Sequence, residues 1–179
     1  GLIAEKAMVV SARVEASQVG SDILKKGGNA YDAMIATQLA LAVVYPQAGN
    51  IGGGGFMVFR HSDGKTGALD FREKAPLSSD KDMYLDEKGN VIPGMSDFGV
   101  HSSGVPGSIA GIVEVYEKYG SLPFKELVQP AIDLARNGFK VTKNQARSFN
   151  GTRERFAKAN NYKIIFDAEW KEGDVVKLE

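Results

Sequence analysis

The chain has 179 residues, enough for one domain with a substantial apolar core, and its 43% hydrophobic content places it among globular proteins. With 22 Lys and Arg against 22 Asp and Glu, no net field draws it to nucleic acid or to an anionic membrane. There is no cysteine, which rules out a disulfide framework, a thiolate zinc site and a cysteine nucleophile.

The N-terminal stretch GLIAEKAMVV lacks the layout of a secretion signal. From Ala16, the residues Val19, Ile23 and Leu24 recur at helical spacing, and Gly27-Gly28 supplies the left-handed stop of a helix C-terminus. Asn29 caps a second helix. The apolar run Ala30 to Val44, at about 15 residues, falls short of the roughly 20 that span a bilayer. Being apolar on nearly every face, it predicts a helix covered on most sides, and Pro46 ends it. Four glycines in NIGGGGFMVFR, residues 50 to 60, then lead into a strand. The runs Phe56 to Arg60 and Thr66 to Arg72 flank His61-Ser62-Asp63-Gly64-Lys65, a hairpin pattern. Its alternation puts Leu69 and Phe71 on one face, Asp70 and Arg72 on the other, and Ala75-Pro76 closes the strand. Residues 77 to 105 form a long polar connection with at most a short helix near Ser79 and a turn at Glu87-Lys88-Gly89-Asn90. Pro106 opens a helix whose Ile109, Ile112, Val113 and Tyr116 make one stripe, ended by Gly120. Leu122 to Asn137 is a further helix, kinked or split at Pro130. Thr142 caps a weaker one through Phe156. Residues 162 to 166 and 174 to 178 predict short strands, and the stop at Glu179, directly after an apolar run, reads as a cut within a longer chain.

The glycines do not fit a phosphate loop. A third glycine would have to stand at Met57, no Gly-Lys-Ser/Thr follows, and the order runs from helix into strand rather than from strand into helix. They predict packing geometry, with another backbone or helix close against the strand. No Gly-x-Ser-x-Gly elbow is present, and His61 and His101 read as solvated loop residues. Asp80, Asp82 and Asp86 lack the glycine and distal glutamate of a calcium loop and read as a charged surface; no metal site is expected. Arg72, in LDFREKAP, carries a planar fork able to hold a carboxylate with two charge-assisted hydrogen bonds. An ion pair with Asp70 on the same strand face, worth about 0–1 kcal/mol if exposed, stands beside that reading.

KKGGNAYDA (25–33), PQAGNIGGGGFM (46–57), DFREKAP (70–76), SGVPGSIAG (103–111) and LVQPAIDLARNGF (127–139), in this order and at these separations, resemble the N-terminal half of the gamma-glutamyltranspeptidase large subunit. The match covers residues 8 to 145 well and the tail only loosely. It implies an α+β chain, mostly helical with a small antiparallel sheet, forming part of the four-layer αββα sandwich of the N-terminal nucleophile hydrolases, and a single domain over 1–179. It also implies a precursor that cuts itself into two subunits. A threonine freed at the start of the small subunit then attacks the gamma-glutamyl carbonyl, with its own amine as base. Water or an acceptor amino acid takes the glutamyl group. By this resemblance Arg72 binds the α-carboxylate of the gamma-glutamyl substrate, such as glutathione. Of Thr37, Thr66, Thr142 and Thr152, none stands in the family's Thr-Thr-His/Tyr setting, so this stretch is expected to hold no catalytic residue and to be inactive alone. The resemblance calls for no cofactor. Its partners would be the remainder of the large subunit and the small subunit, with self-association when these are missing, and its compartment periplasmic or secreted. The segment SARVEAS departs from the small-residue, histidine-containing version of the family. A cephalosporin acylase, a capsule poly-gamma-glutamate transferase, or a scaffold without the chemistry are the alternatives.

Overall fold

In the computed structural model, which describes residues 1, 3–48 and 50–178, the first two helices form where apolar spacing and the Gly-Gly stop place them. Gly49 of PQAGNIGGGGFM and the terminal Glu179 lie outside the described residues. Helix α1 (Val14–Lys25) closes with the Gly27 and Gly28 amides on the Leu24 and Ile23 carbonyls, both at 3.1 Å. That closure holds Gly27 at φ +96°, where an L side chain is strained. Helix α2 (Ala30–Val44) opens on a reciprocal cap: Asn29 Oδ1 accepts from the amides of Tyr31 and Asp32, and the Asp32 carboxylate accepts from the Asn29 amide.

Helix α2 contacts α1, α3 (Ser108–Tyr119) and α4 (Phe124–Asn137), which is why it is apolar all round. Its Ile35, Ala36, Ala40 and Val44 are buried, as are Ile23, Ile112, Val115 and Leu127 of its neighbours. Each of the large side chains so buried stabilises the fold by about 1.5–3 kcal/mol. Strands β1 (Phe56–Arg60) and β2 (Thr66–Asp70) pair antiparallel, Phe56 opposite Asp70 and Arg60 opposite Thr66. Met57 and Leu69 pack on the helical core, while Phe56 and Val58 on the other face are 64% and 84% exposed.

The chain divides into two compact units, Gly1–Lys74 with Pro106–Gly138 and Lys177–Glu179, and Ala75–Val105 with Phe139–Val176. The helices and hairpin above belong to the first. In the second, Thr142 and Gln145 cap helix α5 (Lys143–Ala159), and β3 (Phe139–Lys140) pairs with β4 (Val175–Val176). The expected turn at 87–90 is there: Asp86 Oδ1 accepts from the amides of Lys88 and Asn90 beneath a Leu85–Val91 bridge. The chain is thus a mostly helical α+β structure with small antiparallel sheets.

Two local expectations are corrected, the face of α3 and the strand at 162–166, and two are narrowed. The buried face of α3 is Ser108, Gly111, Ile112 and Val115, with Ile109 and Val113 about 40% exposed, because the Phe71 ring lies over Gly111 and turns the helix by its small residues rather than its large ones. Helix α4 runs unsplit through Pro130; the proline forfeits one backbone bond, while Leu127 and Ala131 on either side stay buried. No helix forms at Ser79, whose amide closes a turn on the Pro76 carbonyl at 3.0 Å. Residues 162–166 form no strand: Asp167 Oδ2 accepts from the Ile164 amide at 2.8 Å and winds Ile165–Asp167 into a 3-10 turn, a local bond competing with any ladder.

Candidate functional site

Strand β2 ends at Asp70, yet the chain stays paired for one more residue: the Phe71 amide donates to Gly55 O at 3.0 Å and the Gly55 amide to Phe71 O at 3.4 Å. Arg72 is the first residue past the ladder. Amides of an antiparallel strand alternate between its two sides, so that of Arg72 points away from β1, and it donates to Asp70 Oδ1 at 3.0 Å. The guanidinium Nη2 lies 3.3 Å from Glu73 Oε1, and its carbon 5.6 Å from the centre of the Phe56 ring.

The Arg72 side chain is 54% exposed, so the ion pair is worth about 0–1 kcal/mol and the ring contact about 0.5–1 kcal/mol. Neither competes with a bidentate carboxylate held by two charge-assisted bonds. The Glu73 carboxyl is held below its usual range by its own backbone amide and then by Arg72, against a smaller opposing effect of burial. The Arg72–Asp70 ion pair considered from the sequence does not form. The short Asp70 arm bonds the backbone amide two residues on, an Asx turn, and leaves the guanidinium to Glu73.

The glycines wrap this strand end. A Cβ on Gly54 would collide with the Glu73 amide and lie 2.7 Å from Phe71 O. One on Gly107 would collide with the Phe71 carbonyl, and one on Gly111 with the Phe71 ring. The Gly53 carbonyl accepts the amides of Gly107 and Ser108 at 2.9 and 3.0 Å, tying the glycine loop to the start of α3. Packing geometry is therefore what these glycines supply, as their order in the chain predicts, and what they pack is the backbone that carries Arg72. Sequence reasoning missed that NIGGGGFM and SGVPGSIAG close on one segment; their shared glycine content was the available signal.

A second polar cluster was also missed. Asp32 is fully buried and accepts from the amides of Asn29 at 2.9 Å, Ser121 at 3.0 Å and Leu122 at 3.5 Å, and from the Ser121 hydroxyl. Asn29 Nδ2 donates to Tyr119 O at 2.7 Å. Burial pushes the Asp32 carboxyl up, but the Ser121 hydroxyl and these amides outweigh it and hold the group below the usual carboxylate range. The conspicuous polar residues of GGNAYDA thus pin α2 to the turn between α3 and α4.

His61, expected as a solvated turn residue, is half-buried, with Nδ1 3.0 Å from Tyr31 Oη and its ring 5.1 Å from Phe59 and 5.3 Å from Tyr119. The rings of Tyr31, Phe59 and Tyr119, beside the turn end of the hairpin, draw it in. His101 is exposed as expected. Asp80 and Asp86 spend carboxylate oxygens on nearby backbone amides, and among the described residues no group of three or more His, Cys, Asp or Glu is placed to hold a metal.

The sequence profile of the gamma-glutamyltranspeptidase family matches residues 16–179. The glutathione hydrolase proenzyme of Escherichia coli (strain K12) is 47% identical over 176 residues, covering 97% of this chain. The chain spans 30% of that relative's length. The solved gamma-glutamyltranspeptidase of Helicobacter pylori superposes with a TM-score of 0.92 at 42% identity, over 99% of this chain and 52% of that one. A cephalosporin acylase from Bacillus halodurans superposes with a TM-score of 0.79 at 30% identity, over 95% of this chain and 33% of that one.

Proposed function

The chain belongs to the gamma-glutamyltranspeptidase family, and from this we propose that it is the N-terminal part of the large subunit of an enzyme that cleaves gamma-glutamyl bonds, as in glutathione, and passes the glutamyl group to water or to an amino acid. In this reading Arg72 takes the donor's α-carboxylate, and the nucleophile comes from elsewhere in the precursor. The observation that supports it is the seat of Arg72: a backbone fixed by the β1–β2 ladder and by glycine packing, bearing a guanidinium that is half exposed and only weakly engaged. Both compact units would then be parts of one domain of the longer protein, whose other segments and small subunit are its partners. The compartment would be periplasmic or extracellular; no described helix is long and apolar enough to cross a membrane.

The test is steady-state kinetics of the full-length protein with a gamma-glutamyl donor. Arg72→Lys, which keeps the charge but loses the fork, is expected to raise KM about tenfold, roughly the worth of one charge-assisted hydrogen bond. Arg72→Ala should raise it further. An unchanged KM in both variants removes the assignment. Parallel assays with glutathione and a glutaryl amide separate a transpeptidase from an acylase of the same fold.

A further inference from the structure

We infer that Asp70 is a positioning residue for the substrate carboxylate, acting on Arg72 through the backbone and not through charge. The inference rests on the reading of Arg72 as the carboxylate-binding residue. The Arg72 amide lies on the open side of β2, where the hairpin gives it no partner, and Asp70 Oδ1 takes it at 3.0 Å. On the other side, Phe71 is locked by its two bonds to Gly55 and by the close approach of Gly54, Gly107 and Gly111. Residue 72 therefore follows a closely packed neighbour, and the bond to its own amide fixes the peptide plane between the two. The Arg72 Cα is placed by that plane, and the arginine fork sits at the end of a long flexible arm. A small rotation at the Arg72 Cα thus sweeps the guanidinium through a large arc. The contacts of the guanidinium with Glu73 at 3.3 Å and Phe56 at 5.6 Å are too weak to correct it. Aim must come from the backbone, and the Asx turn supplies it. Asp70 itself is exposed, so changing it removes nothing from the core.

The geometry separates two roles for the carboxylate. If Asp70 acts as the acceptor of the Asx turn, asparagine replaces it, since its Oδ1 stands in the same place. Glutamate does not, since its longer arm cannot make the same turn although the charge is kept. In the full-length protein we expect Asp70→Asn to leave the KM for a gamma-glutamyl donor within twofold. Asp70→Glu and Asp70→Ala should raise it five- to tenfold, with kcat changed less than twofold. A 4-aminobutyryl amide, which lacks the α-carboxylate, should show the same kcat/KM in all four proteins, a readout that general loosening of the site would not leave constant. In an Arg72→Ala background, Asp70→Glu should add no further change. The inference is overturned if Asp70→Glu stays within twofold of the parent, if Asp70→Asn rises as far as Asp70→Glu, or if the carboxylate-free donor is affected equally. Should Arg72→Ala itself leave KM unchanged, the reading of Arg72 fails first and is recognised by that single variant.

Discussion

Gly53 and Gly54 are adjacent, and neither sits at positive φ, so only the space around each separates them. A Cβ on Gly54 would press into the Glu73 amide, whereas one on Gly53 would make ordinary contacts, 3.5 Å from Asn50 O. Gly54→Ala is therefore expected to cost about 1–3 kcal/mol, the range for overpacking a filled site, and Gly53→Ala to change stability by less than about 0.5 kcal/mol. Thermal melts of the two variants check this, and equal melting temperatures would argue against the tight packing at Gly54. At this scale the sequence was partly legible. Arg72 stands out in DFREKAP as a charge at the end of a half-buried strand, and the run of glycines announces close packing. Which of the four glycines is crowded was not legible, because the crowding atoms belong to Phe71 and Glu73, far along the chain.

The caps Asn29 and Thr142 were legible because a cap is local, and the structure adds their partners Asp32 and Gln145 within one turn of the same backbone. The longer-range task of Asp32 was not legible, because Ser121 lies 89 residues away. That task has a pH signature. The carboxyl is held below its ordinary range, so its stabilisation is fully present above the unfolded value of about 3.9 and is lost as pH falls through the lower folded value. Asp32→Asn leaves one oxygen to face a ring of donors and turns an amide NH2 toward others. We expect it to cost about 1–3 kcal/mol at neutral pH and to flatten the loss of stability below about pH 4. Urea titrations at pH 7 and at pH 3 measure both effects; an unaltered midpoint at pH 7 together with an unaltered acid slope would rule out the pin. The face of α3 was misread for a related reason: hydrophobic periodicity scores large side chains, and here the contact is made by Gly111 and Ser108.

For the chain as a whole, period-two and helical apolar spacing, punctuated by glycine and proline, made the first helices and the hairpin legible, whereas the α+β class was what the family resemblance implied. The longer-range closures became visible only in three dimensions. One consequence at this scale is association. Phe56 and Val58 are open to solvent on one face of the hairpin, and among the described residues β2 pairs with β1 alone, a combination that favours contact with another sheet. The isolated 179-residue chain is expected to self-associate, with an apparent mass in light scattering that rises with concentration; a constant monomer mass would exclude it. The seat of Arg72 also has an order of assembly. Its strand and the glycine loop are made early, but the loop is tied down by Gly107 and Ser108, which leave the ribosome about 36 residues after Phe71. At roughly 5–20 residues per second, the hairpin waits about 2–7 s for the residues that lock it, so slowing or speeding translation between them alters how long that edge stays open before the seat is complete.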